Sequence, residues 1–148
     1  MLPYLKLVSS DCTIYFHLEK RKRNEEWVNS SIEIYDNDYL VKSVKPLWYY
    51  CEPASLLAAI KGALENHTEN NHYKLMDDST VEFSFVNENN ELVLRLYRSF
   101  ELQDHLTFYM DANQLGYLVT YLSLYIGKFN KYAKGIKELY DKGILQGG

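Results

Sequence analysis

Residues 80–98 have the sequence TVEFSFVNENNELVLRLYR, in which two alternating apolar segments flank four polar residues. Alternate side chains of a strand point to the same face of a sheet. The alternating apolar side chains are Val81, Phe83, Phe85, Leu92, Leu94 and Leu96. Two such segments joined by a short polar turn are typical of a β-hairpin. We therefore predict antiparallel strands over residues 80–86 and 91–98.

A further strand and a long helix are predicted after this hairpin. Residues 105–110, HLTFYM, form the strand segment, and Asp111 or Asn113 can then cap the helix by accepting hydrogen bonds from its first amides. The apolar residues that recur at helical spacing are Leu115, Leu118, Leu122, Ile126 and Phe129. Tyr117, Tyr121 and Tyr125 lie beside this stripe, and we expect them to border the core with their hydroxyls in solvent.

The start of this helix is echoed earlier in the chain. FYMDANQLGYLVTYLS, from Phe108, and YYCEPASLLAAIKGAL, from Tyr49, each contain two aromatic residues, an acid, and apolar residues at helical spacing. Pro53 suits the first turn of the earlier helix, which we predict to end near His67. A helix that closes a sheet needs the same start signal and the same stripe. Packing therefore explains the echo, and ancestral duplication is the alternative.

Alternating segments also occur in the first half of the chain, at residues 12–19, 27–38 and 39–44, and a shorter one follows at 73–76. Short sequential strands with tight turns favour an antiparallel sheet. We predict an α+β fold, with an antiparallel β-sheet of about six to seven strands in two meanders, each closed by a helix. The helices are expected to pack on one face of the sheet.

The length of 148 residues fits one domain, which we predict to span residues 1–148. Within it we predict a weak meander-plus-helix repeat, at about 1–67 and 72–130, followed by a lysine-rich C-terminal helix. Two cysteines, Cys12 and Cys51, are too few for a disulfide framework, and we expect buried free thiols.

Charge and hydropathy restrict the partners. The net charge of −4 disfavours non-specific nucleic-acid binding, and no apolar segment approaches the length of about 20 residues that a membrane span requires. The basic run KRKR at residues 20–23 is followed at once by Glu25 and Glu26, and we interpret it as a solvated hairpin tip. The N-terminus lacks a basic region and a cleavage pattern. We expect a cytoplasmic protein that binds neither nucleic acid nor membranes.

The common catalytic signatures are absent from the sequence. It contains no phosphate-binding glycine loop, no Cys-x-x-Cys, no His-Glu-x-x-His and no Gly-x-Ser-x-Gly. We therefore expect no enzyme activity, no cofactor and no metal. His17, His105 and Glu82 could form a general acid–base site, but no nucleophile accompanies them.

One surface remains as a candidate site. If the helices cover the apolar face of the sheet, the opposite face presents tyrosines, histidines and paired charges, with acidic loops around its rim. The candidate partner-binding residues are Tyr15, His17, Glu33, Tyr35, Asp77, Asp78, Glu82, Glu88, Arg95, Tyr97, His105 and Tyr109. The alternative is that this face is simply the hydrated side of a two-layer protein.

Three segments share a pattern of hydrophobic placement with a known family: EWVNSSIEIYDND at 26–38, CEPASLLAAIKGAL at 51–64, and the strand–turn–strand–strand–helix run at 81–129. In their order and spacing, residues 27 to about 130 resemble the immunity proteins of bacterial polymorphic-toxin systems, in particular those paired with wall-associated and contact-dependent growth-inhibition toxins. The resemblance implies a protein that binds the C-terminal domain of a cognate toxin and blocks its active or substrate-binding surface. Many such toxins are nucleases with basic clefts, which acidic side chains would complement.

A second function class remains open. A pocket between the second helix and the sheet would make the protein a small-ligand-binding or regulatory domain. We expect the chain to be a monomer or a weak homodimer.

Overall fold

The computed structural model describes residues 2–9, 12–66, 72–76, 81–86, 91–98 and 101–148. Side chains are described for these residues except at positions 66, 86, 97, 98 and 101–105.

The first half contains strands β1 (Tyr4–Val8), β2 (Thr13–Leu18), β3 (Trp27–Asp36), β4 (Tyr39–Val44) and β5 (Leu47–Tyr49), followed by helix α1 (Glu52–Asn66). The second half contains strands β6 (His72–Lys74), β7 (Val81–Val86), β8 (Glu91–Arg98) and β9 (Glu101–Met110). Helices α2 (Ala112–Ile126) and α3 (Ile136–Asp141) and the short strand β10 (Leu145–Gln146) complete the chain.

The strands form two antiparallel sheets. The first has the order β10-β1-β2-β3-β4, with β5 also paired to β3, and the second has the order β6-β7-β8-β9. In each sheet most paired strands are neighbours in the chain and a helix follows them, whereas β10 joins the first sheet from the C-terminal end. The predicted α+β class is therefore confirmed. The structure adds β1, β5 and β10 to the predicted strands and divides the strands between two sheets.

One continuous hydrophobic core joins both sheets and the helices. Trp48 lies at the junction and is fully buried. Its indole is 5.8 Å from the Phe16 ring of the first sheet and 6.1 Å from the Phe83 ring of the second, measured between centroids. The indole N–H donates to Ser30 Oγ (3.0 Å), which in turn donates to the carbonyl of Pro46 (2.6 Å). The polar edge of the central indole is therefore satisfied inside the core.

A buried carboxylate fixes the start of α1. Glu52 is 2% exposed, and its Oε1 accepts from the backbone amide of Tyr49 (2.9 Å). Its Oε2 accepts from the Tyr73 hydroxyl (3.1 Å) and from the amide of Met76 (3.0 Å). Burial, together with the charge of Glu52 and this hydrogen bond, raises the pKa of Tyr73. The acid that opens the repeated helix signature thus connects the end of the first sheet to the start of the second.

Helix α2 begins at a capping box. Asp111 accepts from the amide of Gln114 (2.8 Å), and the Gln114 side chain accepts from the amide of Asp111 (3.1 Å). Of the two predicted caps, Asp111 is the one used. The helix ends at Gly127, whose φ of 76° lies in the left-handed region that glycine adopts without strain.

The prediction that the hydroxyls of the α2 tyrosines reach solvent is wrong for Tyr125, whose hydroxyl is buried, and it is also wrong for Tyr121. This side chain is 2% exposed, and its hydroxyl accepts from the amide of Leu18 (2.9 Å) and donates to the carbonyl of Pro3 (2.8 Å). It is a core residue because β1 and β2 cover this face of the helix. The prediction of buried cysteines is also wrong, since Cys12 is half-buried and Cys51 is exposed, both as free thiols.

Candidate functional site

The outward face of the first sheet is the candidate site. Alternate residues of β1, β2 and β3 face the core and are buried, so the residues between them point away from it. We use the name outward face for the side chains of Tyr4, Lys6, Thr13, Tyr15, His17, Glu33 and Tyr35. Four of them, Tyr15, His17, Glu33 and Tyr35, were predicted from the sequence to share a face, and the structure brings them together.

Aromatic rings contact one another across the strands of this face. Tyr4 stacks on His17 with centroids 4.2 Å apart, and Tyr15 meets Tyr35 edge to face at 5.6 Å. Lys6 Nζ lies 5.9 Å from the centroid of the Tyr15 ring. Each ring is held by a neighbour, so little side-chain entropy remains to be lost when a partner covers it.

Hydrogen bonds orient two of these side chains further. The Tyr35 hydroxyl donates to Glu33 Oε2 (2.9 Å), and this hydrogen bond to the carboxylate, aided by burial, raises the pKa of Tyr35. His17 Nε2 lies 3.2 Å from the carbonyl of Leu2, so the ring donates there when that nitrogen carries the proton. Tyr35 therefore stays neutral and acts as a fixed hydrogen-bonding ring.

A groove of about 540 Å³ runs across the outward face. It is lined by Tyr4, Lys6, Thr13, Tyr15, Glu33, Tyr35, Asn37, Asp38 and Gln146. Every lining residue carries a hydrogen-bonding group, and both charge signs are present. Ligand pockets for small molecules are lined mainly by apolar side chains, and this groove is not.

Glu82 and Arg95 lie on the second sheet, away from the outward face. Glu82 is 5% exposed, and its Oε1 accepts from Ser84 Oγ (2.8 Å) and from Arg95 Nη1 (3.3 Å). His72 Nδ1 is 3.2 Å from the same oxygen, and Lys74 Nζ is 3.5 Å from Oε2. Burial alone would raise the pKa of Glu82, but the hydrogen bonds from Ser84 and His72 and the charge of Lys74 outweigh it and lower the pKa.

The same network defines what Ser84 can do. Its hydroxyl donates to Glu82, while it accepts from Arg95 Nη1 at 2.7 Å and lies 2.8 Å from His72 Nδ1. A nucleophilic serine needs a base that takes its proton, and here the acceptor is a carboxylate surrounded by cations. The cluster is an ion network of the second sheet, in which partly exposed His72, Lys74 and Arg95 surround the buried Glu82 carboxylate. His17, part of the acid–base alternative, lies on the other sheet.

The remaining predicted residues have different placements. Tyr97 and His105 are register partners on β8 and β9, but their side chains lie outside the description. Asp77, Asp78 and Glu88 lie outside the described residues. Tyr109 is 64% exposed on the second sheet. The single platform expected from the sequence is thus divided between two sheets.

Sequence reasoning missed Tyr4, Lys6 and Gln146, which come from β1 and β10. The signal available for β1 was the alternation of buried Leu5 and Leu7 with outward residues. Among the described residues, no group of His, Cys, Asp and Glu side chains could hold a metal ion, and no helix is long and apolar enough to cross a membrane.

Comparisons with protein-family models, with curated proteins and with solved structures gave no significant match.

Proposed function

We propose that this protein is an immunity protein that neutralises a cognate toxin domain by binding it through the outward face of the first sheet. The observation that carries the proposal is the set of mutually supported aromatic rings on that face, Tyr4 on His17 and Tyr15 on Tyr35. Tyrosine is enriched at the energetic centres of protein interfaces, where a rigid ring with one polar group is buried at low entropy cost.

The choice of partner rests on the resemblance of residues 27 to about 130 to immunity proteins. The outward face fits that role, because it combines aromatic anchors with Lys6, Glu33 and Asp38 in one groove. Charged side chains of this kind mainly set the rate of association with the toxin and disfavour other proteins as partners. The proposal includes a cytoplasmic location, where the protein would bind the toxin either before the toxin is secreted or after it has entered the cell.

A small-ligand site is the second candidate, because a cavity of about 360 Å³ lies between the start of α2 and strand β1, and both it and the groove of about 540 Å³ have volumes within the range of ligand pockets. The two functions predict different results in a thermal-shift screen of metabolites. A ligand that fills the groove stabilises the native state, whereas a surface for a protein partner gives no shift with small molecules.

The primary experiment is co-expression with the C-terminal domain of the large secreted protein encoded immediately upstream. Growth rescue and a complex that survives gel filtration are expected. The double variant Tyr15→Ala/Tyr35→Ala should weaken the complex at least about 100-fold, since two anchors of about 1.5 kcal/mol or more are removed. Circular dichroism would confirm that the variant is folded.

The matched control is Tyr109→Ala, which removes an exposed tyrosine from the second sheet. It should leave affinity within about twofold, because rim and distant contacts contribute little. Loss of binding in Tyr109→Ala with retention in the double variant would move the interface to the second sheet. Absence of both toxicity and complex would refute the immunity function for that partner.

The predicted steering role of Asp77, Asp78 and Glu88 needs a separate measurement. Reversing all three to lysine should slow association and reduce its dependence on salt, because like charges would then meet a basic cleft. An unchanged association rate in stopped-flow mixing would remove steering from the proposal and leave the aromatic anchors.

A further inference from the structure

A second surface lies at the opposite end of β3, where the hairpin between β2 and β3 meets the last turn of α2. A cleft of about 500 Å³ is present there, and its lining residues are Leu2, Lys20, Arg21, Tyr50, Tyr125 and Ile126. Apolar and aromatic side chains form its body, and two cations belong to its wall. A cleft of this composition fits a group that is apolar with a negative charge beside it.

The cleft continues into a ladder of contacting rings. Trp27 is 5.3 Å from Tyr49, and Tyr49 is 4.7 Å from Tyr50, measured between centroids. The guanidinium carbon of Arg21 lies 4.6 Å above the Tyr50 ring. Trp27 and Tyr50 remain 38% and 44% exposed. Tryptophan, tyrosine and arginine are the residues most enriched at interface hot spots, and here all three occur in one contact chain.

The hairpin tip that carries the cations is fixed to this ladder. Arg21 Nε donates to the carbonyl of Glu25 (2.6 Å), and the amide of Tyr50 donates to the carbonyl of Glu26 (2.7 Å). Asn24 closes the turn with a φ of 68°, a left-handed conformation that asparagine tolerates better than most residues. Within the part of the chain that the structure describes, Arg21 forms its hydrogen bond through Nε, and its two terminal nitrogens can donate to a ligand.

Charge identifies the kind of ligand. Lys20 and Arg21 begin the run of four exposed cations at residues 20–23. Glu19, Glu25 and Glu26 are exposed on either side of that run and would repel a continuous phosphate backbone. A polypeptide can instead place individual carboxylates beside the cations and keep uncharged residues beside Glu19, Glu25 and Glu26. The surface therefore favours an acidic peptide over single-stranded nucleic acid.

We propose that the cleft formed by Lys20, Arg21, Tyr50 and Tyr125 binds an acidic polypeptide segment that inserts one apolar side chain. The apolar side chain lies between Tyr50 and Tyr125, and flanking carboxylates pair with Lys20 and Arg21. This surface is separate from the groove of the outward face, and the proposal does not depend on the immunity function.

The two cations also have a structural reason for their position. The C-terminal end of a helix carries a partial negative charge, and cations beside the last turn of α2 are stabilised by it. A purely structural role and a binding role differ in one observable. The first predicts that removing the cations changes only stability, whereas the second predicts a loss of peptide affinity in a protein that is still folded.

The test is fluorescence anisotropy with a fluorescein-labelled peptide of twelve residues, made of glutamate, aspartate and serine with one central phenylalanine. Saturable binding is expected. Lys20→Gln/Arg21→Gln should weaken it about tenfold or more, the value of one charge-assisted contact. Replacing the phenylalanine of the peptide by alanine should weaken it at least about fivefold, because the cleft then remains unfilled.

The control variant Lys45→Gln/Lys137→Gln removes the same net charge from exposed positions elsewhere and should bind within about twofold of the wild type. The single variant Lys20→Gln keeps the Arg21 contacts, so it guards against misfolding of the double variant, and a loss of about threefold is expected. No saturable binding, or equal losses in the double variant and its control, would overturn the proposal. Tighter binding of a twelve-nucleotide oligothymidylate than of the peptide would overturn it in favour of nucleic acid.

Discussion

Replacement of Tyr121 by phenylalanine is the most direct test of how the N-terminal strands are attached to α2. The hydroxyl is buried and makes two hydrogen bonds, from the amide of Leu18 (2.9 Å) and to the carbonyl of Pro3 (2.8 Å). Phenylalanine keeps the ring, which packs edge to face on Phe16 at 5.6 Å, and removes only the oxygen. Loss of packing therefore contributes little to the result.

The expected cost follows from the groups left behind. An amide and a carbonyl in the interior lose their partner together, and each unsatisfied buried group costs about 1–3 kcal/mol. We expect the free energy of unfolding to fall by about 3 kcal/mol in total, which for a chain of this size lowers the Tm by roughly 6–12 °C.

Urea denaturation followed by circular dichroism measures this change. The midpoint should fall while the slope with urea stays constant, because the surface exposed on unfolding is unchanged. Tyr140→Phe is the matched control, since the exposed Tyr140 hydroxyl donates to the carbonyl of Gly147 (3.1 Å) and water can replace it. A loss in Tyr121→Phe below about 0.5 kcal/mol, equal to the control, would refute the buried bridge.

The same residue makes a prediction at high pH. Burial raises the pKa of Tyr121 above its ordinary value of 10.0, although the amide of Leu18 opposes the rise. The unfolded chain therefore loses this proton first, and the folded state becomes less stable as pH rises through about 10. The wild type should lose stability more steeply than Tyr121→Phe above that pH, and parallel curves would contradict the assigned burial.

Asp111→Ala removes the side-chain cap of α2 and should cost about 1 kcal/mol in urea denaturation. Asp141→Ala, at an exposed helix end, is the control and should change stability by less than about 0.5 kcal/mol. The pKa of Glu82 is lowered below 4.5 in the folded state, so its contribution to stability is present above about that pH and is lost as the pH falls. Glu82→Gln should therefore flatten the acid limb of the stability curve, and an unchanged limb would show that the ion network does not couple to folding. Trp48→Ala should cost about 3–5 kcal/mol because it opens a cavity between the sheets, and a loss below about 1 kcal/mol would place the junction elsewhere.

The sequence was sufficient to predict the elements with strong periodicity. Strands β7 and β8 alternate over six and eight residues, and the α2 stripe from Leu115 to Ile126 follows Asp111 at helical spacing. Phe129 was predicted to continue this stripe, but it lies beyond the end of the helix and is exposed. Strands β5 and β10 have three and two residues, which is too short for any period to emerge. Strand β5 pairs with β3, and its Trp48 packs on Phe16 of β2, while β10 pairs with β1 at the other end of the chain. These contacts join segments that are distant in sequence, so no local pattern predicts them.

The sequence correctly grouped only those candidate-site residues that lie on the same sheet. Tyr15, Glu33 and Tyr35 follow from the alternation of β2 and β3, which the sequence contains. The separation of Glu82 from them depends on α1, which carries the chain from the first sheet to the second. Alternation assigns a residue to a face, but it does not tell which sheet that face belongs to.

The two tryptophans occupy opposite environments, and this gives the protein two built-in optical probes. Trp48 is fully buried between the sheets, whereas Trp27 is 38% exposed at the end of the ring ladder. Iodide in solution should quench the emission of Trp27 and spare that of Trp48 until the chain unfolds. One sample can thus report on occupancy of the ladder and on integrity of the core without any label.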